Sequence, residues 1–564
     1  MKAIKIIQRI GVIFLLATGI LQAQNLYIPD ANLKNALLNY IPAIDTNSDG
    51  EISVFEAQVP TQLNLNYMSI ADMTGIESFI SLTKLWCNNN QITTGLNLTQ
   101  MSQLQEIDCY NNVIPFLNIA GLTNLQRIYC GNNQITELDL STATGIKSIS
   151  ASNNQINSLL LPLSTSSLTS IAINNNQLSG DLDFTGHAAL QLLWLGVNAG
   201  ITSVDASGLV NLISLTFGDN TSLQTVEASN CPALSELSFG SSCPALSSLN
   251  VQGNTSLGWL DCKGGSLTTL DVSNLPALYH LDCRENDLTF LDVTNLPALE
   301  LVYCRNNQIA NIMDYSGSPL LETLLADYND FPSIDLSNHT ALTSLNCSNN
   351  PVLHTYNVQN CTGLIYLGAD YCPMLTTINI QGCTAAQGIS FSNDTSLTNL
   401  TVSATDHPNL VSLNTDYSSS LNSLVFSGTM SIQQLQARQC NLSVLDLTNL
   451  PNLSYLSCQS NNLTTLDISQ NPALTTIWCN NNQLTTLDAS QNIALNNLQC
   501  YGNNLETLFI KNGTDEAILN FVSNPSLAYI CADESQVVAV QAQASASTVV
   551  NSYCSFTPGG NYNT

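Results

Sequence analysis

A short segment recurs along most of this chain at a nearly fixed spacing, and this repeat restricts the fold more than any other feature. Residues 278–288 read LYHLDCRENDL and residues 299–309 read LELVYCRNNQI, so both follow the pattern LxxLxCxxNxL with small apolar substitutions. The first apolar residue of the pattern stands at positions 82, 104, 125, 146, 168, 190, 212, 234, 257, 278, 299, 321, 342, 364, 386, 410, 432, 453, 474 and 495. Such a period is typical of a solenoid, in which each coil buries its apolar side chains against its neighbours.

The second half of each coil has an apolar pattern of its own. Residues 288–294 (LTFLDVT) and 463–469 (LTTLDIS) alternate apolar and polar side chains, which is typical of an extended segment. A coil of 21 or 22 residues leaves no room for a long helix on this return side. The sequence therefore predicts a mainly β solenoid of about twenty coils with parallel strands.

The repeat resembles the leucine-rich-repeat family over roughly residues 60–530, and it is most similar to the short bacterial type of internalin-like surface proteins. This resemblance implies a curved β-solenoid that recognises proteins or glycans. The chain departs from many members of the family in one respect, because cysteine often fills the core position that leucine occupies elsewhere.

The two ends of the chain differ from the repeat and suggest four regions. Residues 1–23 combine Lys2, Lys5 and Arg9 with the apolar run 10–21, so we predict a signal peptide that is cleaved after Ala23. We assign 24–60 to a helical N-terminal cap, 61–530 to the solenoid, and 531–564 to a C-terminal cap with a linker-like end. No later stretch approaches the ~18 apolar residues of a membrane span, and the predicted location is secreted or at the cell surface.

The charge of the chain excludes some partners. Twelve basic and 41 acidic residues give a net charge of −29, and removal of three basic residues with residues 1–23 gives 9 minus 41, or −32. Nucleic acid and anionic lipid are therefore poor partners. The acidity either keeps a long exported chain soluble or serves bound calcium or a cationic ligand, and the sequence leaves these alternatives open.

The 18 cysteines follow the repeat. Ten share the inward strand position: Cys87, Cys109, Cys130, Cys262, Cys283, Cys304, Cys347, Cys458, Cys479 and Cys500. Five are assigned to the asparagine position of the repeat: Cys231, Cys361, Cys372, Cys383 and Cys440. Cβ atoms stacked ~4.8 Å apart are too distant for the ~3.8 Å of a relaxed disulfide, so we interpret these cysteines as buried and reduced. Cys531 and Cys554 follow the last clear coil, and we predict that they form a disulfide that closes the C-terminal cap.

The N-terminal cap contains a loop with the spacing of a calcium site. Residues 45–56 read DTNSDGEISVFE, which resembles the loop of an EF-hand, D-x-N-x-D-G-x5-E. Side chains at loop positions 1, 3, 5 and 12 supply the oxygens that calcium requires. The predicted ligands are Asp45, Asn47, Asp49, Glu51 through its carbonyl, Ser53 and Glu56, and the ion would be structural. The alternative is a metal-free acidic turn that caps the solenoid.

Aromatic and cationic residues lie at outward positions of the first half of the coil. Exposed aromatic side chains are typical anchors for proteins or sugars. We expect a ligand to contact Trp86, Trp194, Trp259, Tyr279, His280, Tyr303, Trp478, Lys263, Arg284 and Arg305. Stacked like charges are unfavourable unless they are neutralised. The three cations therefore form either a ladder of ion pairs with Asp261 and Asp282 or part of a site for an acidic glycan or protein segment.

No motif of a catalytic centre occurs: GxSxG, HExxH, GxxxxGK[ST] and GxGxxG are all absent from the sequence. We therefore predict an adhesin-like binding protein without enzymatic activity, whose ligand is a protein or glycan at a cell surface. Two alternatives remain at this level. One is a structural spacer of a surface or matrix, and the less favoured one is a parallel β-helix polysaccharide lyase.

Overall fold

The computed structural model describes residues 24–163, 167–240 and 243–554. The predicted signal peptide, residues 1–23, lies outside these residues. The chain divides into two compact units, Met1–Leu267 and Thr268–Thr564, and each is described by itself.

Each coil contributes one short strand, here called a main strand, to a parallel sheet. The first unit holds Gln62–Asn64, Lys84–Trp86, Glu106–Asp108, Arg127–Tyr129, Ser148–Ser150, Ser170–Ala172, Leu192–Trp194, Ser214–Thr216, Glu236–Ser238 and Trp259–Asp261. The second unit holds His280–Asp282, Leu301–Tyr303, Thr323–Leu325, Ser344–Asn346, Tyr366–Gly368, Gly388–Ser390, Ser412–Asn414, Gln434–Gln436, Tyr455–Ser457, Thr476–Trp478, Asn497–Gln499 and Ile518–Asn520. Within each unit the strands pair in register from one coil to the next, as Lys84 does with Glu106 and Tyr455 with Thr476.

The prediction of a mainly β parallel solenoid is confirmed, and the structure adds one coil at each end of the predicted series. The 22 main strands include Gln62–Asn64 and Ile518–Asn520, which the repeat count did not include. The first of these coils has Pro60 and Met68 where the pattern requires leucine and asparagine, and the last has Glu516 in place of the first leucine. Their strands still pair with the neighbouring coils, with Leu63 buried and Leu519 half-buried at the inward position.

The return side of the coils forms smaller parallel sheets. Their strands are Leu96–Asn97 with Leu117–Asn118; Glu137–Asp139 with Ser158–Leu160; Ser179–Asp183, Gly200–Asp205, Thr225–Glu227 and Ser248–Asn250; Ser333–Asp335, Thr355–Asn357 and Thr377–Asn379; Asn399–Ser403 with Ser423–Ser427; and Thr486–Asp488, Thr507–Phe509, Tyr529–Cys531 and Val549–Asn551.

Helices occur only near the two ends of the described chain. They are Ala31–Leu38, Val54–Ala57, the 3-10 turn Ile76–Ser78 and Val537–Gln543. None of the described helices is long and apolar enough to cross a membrane.

A ladder of asparagines joins successive coils. Asn112 Nδ2 donates to the carbonyls of Cys87 at 3.0 Å and Cys109 at 3.1 Å, and its Oδ1 accepts from Ile92 N at 3.1 Å. The same two donations occur at Asn90, Asn133, Asn154, Asn176, Asn198, Asn307, Asn329, Asn350, Asn461, Asn482, Asn503 and Asn524. Each amide thereby satisfies backbone groups that the buried turn would otherwise leave unpaired.

The cysteines divide as predicted between one disulfide and a reduced core. Cys531 and Cys554 form the disulfide, with Cα atoms 5.3 Å apart, so that prediction is confirmed. The other 16 cysteines are buried and reduced. Burial raises the pKa of the Cys130 thiol to about 12, so such thiols stay neutral.

The assignment of five cysteines to the asparagine position is wrong for three of them. Cys372 and Cys440 occupy that turn, and Cys440 Sγ lies 3.1 Å from the carbonyl of Thr415. The other three occupy the turn on the opposite side of the coil, three residues before the first apolar residue of the next repeat (Leu234, Leu364 and Ala386): Cys231, Cys361 and Cys383. Cys361 Sγ there lies 3.0 Å from the carbonyl of Leu336. Both turns bury backbone carbonyls that need a donor, and both recur with the same period, so spacing alone does not separate them.

Candidate ligand-binding surface

The acidic loop of the N-terminal cap folds around its own backbone amides. Asp45 Oδ2 accepts from Gly50 N at 3.1 Å, Asn47 Oδ1 accepts from Asp49 N at 2.9 Å, and Asp49 Oδ1 accepts from Glu51 N at 2.9 Å. Gly50 has φ 81°, which lies in the left-handed region that favours glycine. These hydrogen bonds fold the predicted calcium loop into successive tight turns.

Glu56 ends the loop and caps the second helix. Its Oε2 accepts from Ser53 N and Oγ, both at 2.9 Å, and its Oε1 accepts from Thr46 N at 2.8 Å and Oγ1 at 2.9 Å. Ser53 Oγ accepts from Glu56 N in return, which completes a capping box. Glu56 is only 4% exposed. Burial alone would raise its pKa, but the hydrogen bonds from Ser53 and Thr46 outweigh that effect and lower the pKa to about 2.

The chemistry of this loop fits calcium, although both carboxylate oxygens of Glu56 are already bonded. Asp45 Oδ1 is buried and has no hydrogen-bond partner within the part of the chain that the structure describes, so one oxygen remains for a cation. Within the described chain, no three His, Cys, Asp or Glu side chains are grouped as a metal site. The loop's other predicted oxygens come from the Asn47 and Ser53 side chains and the Glu51 backbone carbonyl, none of which is an acidic side chain. Glu56 would have to exchange hydrogen bonds to become a bidentate ligand.

The predicted aromatic ligands in the first unit differ in how available they are. Trp86 Nε1 donates to Glu106 Oε1 at 2.8 Å, and the Lys84 ammonium lies 5.4 Å from the centre of the indole ring. Trp86 is thus held by its own neighbours. Trp194 is 38% exposed on its main strand, and Trp259 is half-buried.

The predicted cations mostly pair with acidic neighbours. In the first unit, Lys263 Nζ lies 3.0 Å from Asp261 Oδ2. In the second unit, an Arg284 guanidinium nitrogen lies 3.1 Å from Asp282 Oδ2. Both are the ion pairs expected if these cations form a ladder with Asp261 and Asp282. Arg305 is half-buried, and its Nε has no hydrogen-bond partner among the described residues.

The second unit holds the remaining predicted residues. Tyr279 is 40% exposed, whereas His280 is buried with its ring 5.5 Å from that of Tyr303 in an edge-to-face contact. The Arg284 guanidinium lies 5.9 Å from the centre of the Tyr303 ring. Trp478 is half-buried, and its ring packs edge to face on its strand neighbour at 5.7 Å.

The structure reveals two depressions that sequence reasoning missed, one in each unit. Both lie where main strands end and the asparagine turn begins. The first basin has a volume of about 410 Å³ and is lined by Asn66, Tyr67, Asn88, Asn89, Asp108 and Tyr110, among others. The second basin has a volume of about 420 Å³ and is lined chiefly by Tyr417, Arg438, Gln439, Trp478, Asn480 and Tyr501. Only Trp478 was among the predicted residues. The other lining residues could have been predicted from a shared feature: amide and aromatic side chains come just after the core position in neighbouring coils.

Comparison with known proteins finds likenesses to bacterial leucine-rich-repeat proteins, while no protein-family model matches the chain. InlJ from Listeria monocytogenes, solved as a functional domain that includes a cysteine ladder, is 23% identical with a TM-score of 0.34 over 82% of this chain and 76% of that one. YopM from Yersinia enterocolitica WA-314 is 20% identical with a TM-score of 0.41 over 84% of this chain and 91% of that one. Internalin J from Listeria monocytogenes serotype 4b (strain F2365) is 40% identical over 87 residues, which are 15% of this chain. The match spans only 9% of the length of Internalin J, so the likeness to an internalin is limited to that stretch of this chain.

Proposed function

We propose that this chain is an exported binding protein without a catalytic centre, which recognises a protein or glycan through the solvent-facing side of its main strands. The observation that carries the proposal is the exposure of aromatic side chains on those strands. Trp194 is 38% exposed and Tyr366 is 65% exposed, while the inward Leu193 and Leu367 of the same strands are buried. The internalin-like repeat is typical of proteins that bind other proteins at surfaces, which agrees with this proposal.

The structural-spacer alternative makes a different demand on the sequence. A spacer needs only the inward side chains, and large aromatic groups on its outer face would favour unwanted association. Exposed aromatic side chains are instead the usual anchors of an interface. Their position on the outer face therefore favours a binding protein.

The proposal is tested by screening residues 24–564 on arrays of glycans and of surface proteins. We expect reproducible binding to a related set of ligands, and a loss of at least about ten-fold in affinity for Trp194→Ala or Tyr366→Ala. Ile493→Ala serves as a control because Ile493 is 64% exposed but lies off the main strands. Absence of binding on every array would favour the spacer.

An acidic ligand has its own test in the second unit. Replacing Arg284 and Arg305 together by serine removes two cations from the outer face. Binding of a sulfated or sialylated glycan, or of an acidic protein segment, should then be lost. Unchanged affinity would leave the arginines as structural partners of acidic neighbours such as Asp282.

We also propose that the N-terminal loop binds one structural calcium ion through Asp45, Asn47, Asp49, Glu51, Ser53 and Glu56. The buried, unpartnered Asp45 Oδ1 and the oxygen-rich loop support this proposal. Calorimetric titration with calcium chloride should give one site that Asp45→Asn removes. Asp139→Asn is the matched control, because Asp139 caps an ordinary turn through Ser141 N at 2.9 Å. The absence of heat from the unmodified chain would favour the metal-free cap.

Export is tested separately, since it depends on residues 1–23. The mature protein recovered from outside the cell should begin at Gln24. Retention of the full chain inside the cell would contradict the proposed location.

A further inference from the structure

The two basins share a six-residue sequence but differ in their hydrogen bonding. Residues 86–91 and residues 478–483 both read WCNNNQ. Trp86 and Trp478 are therefore equivalent, as are Asn88 and Asn480, which line the first and second basin respectively. Any difference between the basins comes from the neighbouring coils rather than from this segment.

In the first basin, the polar groups bind one another. Asn88 Nδ2 donates to Asp108, Asn89 Nδ2 donates to Asn88 Oδ1 at 2.8 Å, and Asn132 Nδ2 donates to Tyr110 Oη at 2.7 Å. Asp108, on the next main strand, accepts the hydrogen bond of the Asn88 amide. This basin therefore has few polar groups left for a ligand.

In the second basin, the equivalent groups have no such partners. The next main strand carries Asn497 and Gln499 in place of the acidic pair. Asn480 is only 7% exposed, yet its side-chain amide makes no hydrogen bond to any described residue, and Trp478 Nε1 has none either. Because Asn480 lines the basin, its side-chain amide is available to a ligand from outside the chain.

The charge in the second basin is balanced. Arg438 Nε lies 2.8 Å from Asp416 Oδ2, and Arg438 N donates to Asp416 Oδ1 at 2.8 Å. The guanidinium also lies 4.5 Å from the centre of the Tyr417 ring. Because its carboxylate partner and this ring already hold the cation, the basin offers no free charge to an ionic ligand.

Flat aromatic groups frame the open amides. The Trp478 ring is fixed by the edge of Tyr455 at 5.7 Å, and Tyr417 and Tyr501 stand at the rim. Tyr417 adopts φ 64°, a conformation that most turns of this chain give to asparagine or glycine. The volume of about 420 Å³ lies within the usual range of small-ligand sites.

We propose that the second basin binds a neutral saccharide, an inference that rests on the proposed binding function and names its ligand class. Sugar hydroxyls both donate and accept hydrogen bonds, as the Asn480 amide and the other amides that line the basin require. The apolar face of a sugar ring packs on an aromatic face such as that of Tyr501. A peptide would meet the same amides, but it would pack on the aromatic rim only where it carries a proline or an aromatic side chain.

The test is an array of neutral, sialylated and sulfated oligosaccharides, probed with residues 24–564 and with three variants. Asn480→Ala and Tyr501→Ala should each weaken binding to neutral oligosaccharides about ten-fold or more. Asn88→Ala is the matched control, since it alters the same WCNNNQ segment in the first basin and should leave binding unchanged. Thermal melting of each variant shows whether it has folded, and Tyr501→Ala keeps the test valid if Asn480→Ala has not.

The possible outcomes separate this inference from the proposed function. Neutral-sugar binding that is lost in both basin variants and kept in Asn88→Ala supports the inference. Binding that survives both variants, or that is confined to sialylated or sulfated sugars, overturns it and leaves the binding function intact. Binding only to proteins also overturns it, and binding to nothing overturns both.

Discussion

Asp394 occupies a turn position that asparagine fills in most coils. It is fully buried, and its Oδ1 accepts from Cys372 N at 2.7 Å, as Asn350 Oδ1 accepts from Phe331 N at 3.1 Å. Its Oδ2 therefore takes the place of the Asn350 amide nitrogen, which donates to carbonyls. This oxygen has no hydrogen-bond partner among residues 24–163, 167–240 and 243–554. Only a protonated carboxyl can donate there. Burial, with a smaller contribution from the charge of Asp370, raises the pKa of Asp394 to about 8.

We expect Asp394→Asn to stabilise the protein at alkaline pH and to have little effect near pH 4. The folded-state pKa of about 8 exceeds the ordinary value of 3.8. Stability from the neutral form is therefore complete below pH 3.8 and is lost as the pH rises to 8, by about 1.4 kcal/mol per pH unit. Thermal melting from pH 4 to 9 measures the effect. Asp287→Asn, at an exposed position, is the control, and an equal shift at pH 4 and pH 8 would contradict the assignment.

Asn482 represents the residues that join the coils. Its amide donates to Cys458 O and Cys479 O, both at 3.0 Å, and accepts from Leu463 N at 3.1 Å. Asn482→Ala leaves these buried groups unpaired and should lower the free energy of unfolding by about 2 to 4 kcal/mol. Asn482→Cys should lower the free energy of unfolding by a smaller amount. At the same turn position in another coil, the Cys440 thiol lies 3.1 Å from the carbonyl of Thr415 and can donate to it. Urea denaturation of the two variants measures both free energies of unfolding. Equal losses would contradict the role of a side-chain donor at position 482.

At the scale of elements, the short helix Val54–Ala57 depends on the charge of Glu56. The folded-state pKa of about 2 lies below the ordinary 4.5, so this stabilisation is complete above pH 4.5 and is lost as the pH falls toward 2. Glu56→Gln should destabilise the cap at pH 7 by on the order of 2 to 3 kcal/mol, and this loss should shrink toward zero only as the pH falls to about 2. Hydrogen exchange of residues 24–60 reports the change. Glu51→Gln should have a small effect, since its ion pair with Lys34 is partly exposed, and comparable losses in both variants would argue against the capping box.

Across the whole molecule, periodicity predicted the fold well because every coil must bury the same inward positions against its neighbours. Inward leucines and cysteines recur at a fixed spacing, and their burial follows from alternation along the strand. The repeat count did not include the two terminal coils, because Pro60 and Glu516 replace the first apolar residue of the pattern. The remaining apolar side chains are enough for a strand to form there.

The candidate site was less predictable because it depends on contacts between coils. Sequence alternation places Trp86 and Trp478 on the outer face, but it does not show that Glu106 binds the first indole while the second has no such partner. Asn88 and Asn480 have identical local sequences and different partners. Such differences depend on which side chains the register places next to each other on strands 21 or 22 residues apart. The alternation of residues along a single strand does not give this register.

The reduced cysteines allow the unfolding of the chain to be followed coil by coil. The folded protein should expose none of its 16 thiols to a thiol reagent, and the unfolded, unreduced chain should expose all of them. Because each coil packs only on its neighbours, removing the terminal disulfide should act locally, by about 3 kcal/mol for its closed loop. In Cys531→Ala/Cys554→Ala, Cys500 should react at lower urea while Cys87 does not change, as mass spectrometry of labelled peptides would show. Equal shifts at both cysteines would mean that the chain unfolds as one cooperative block.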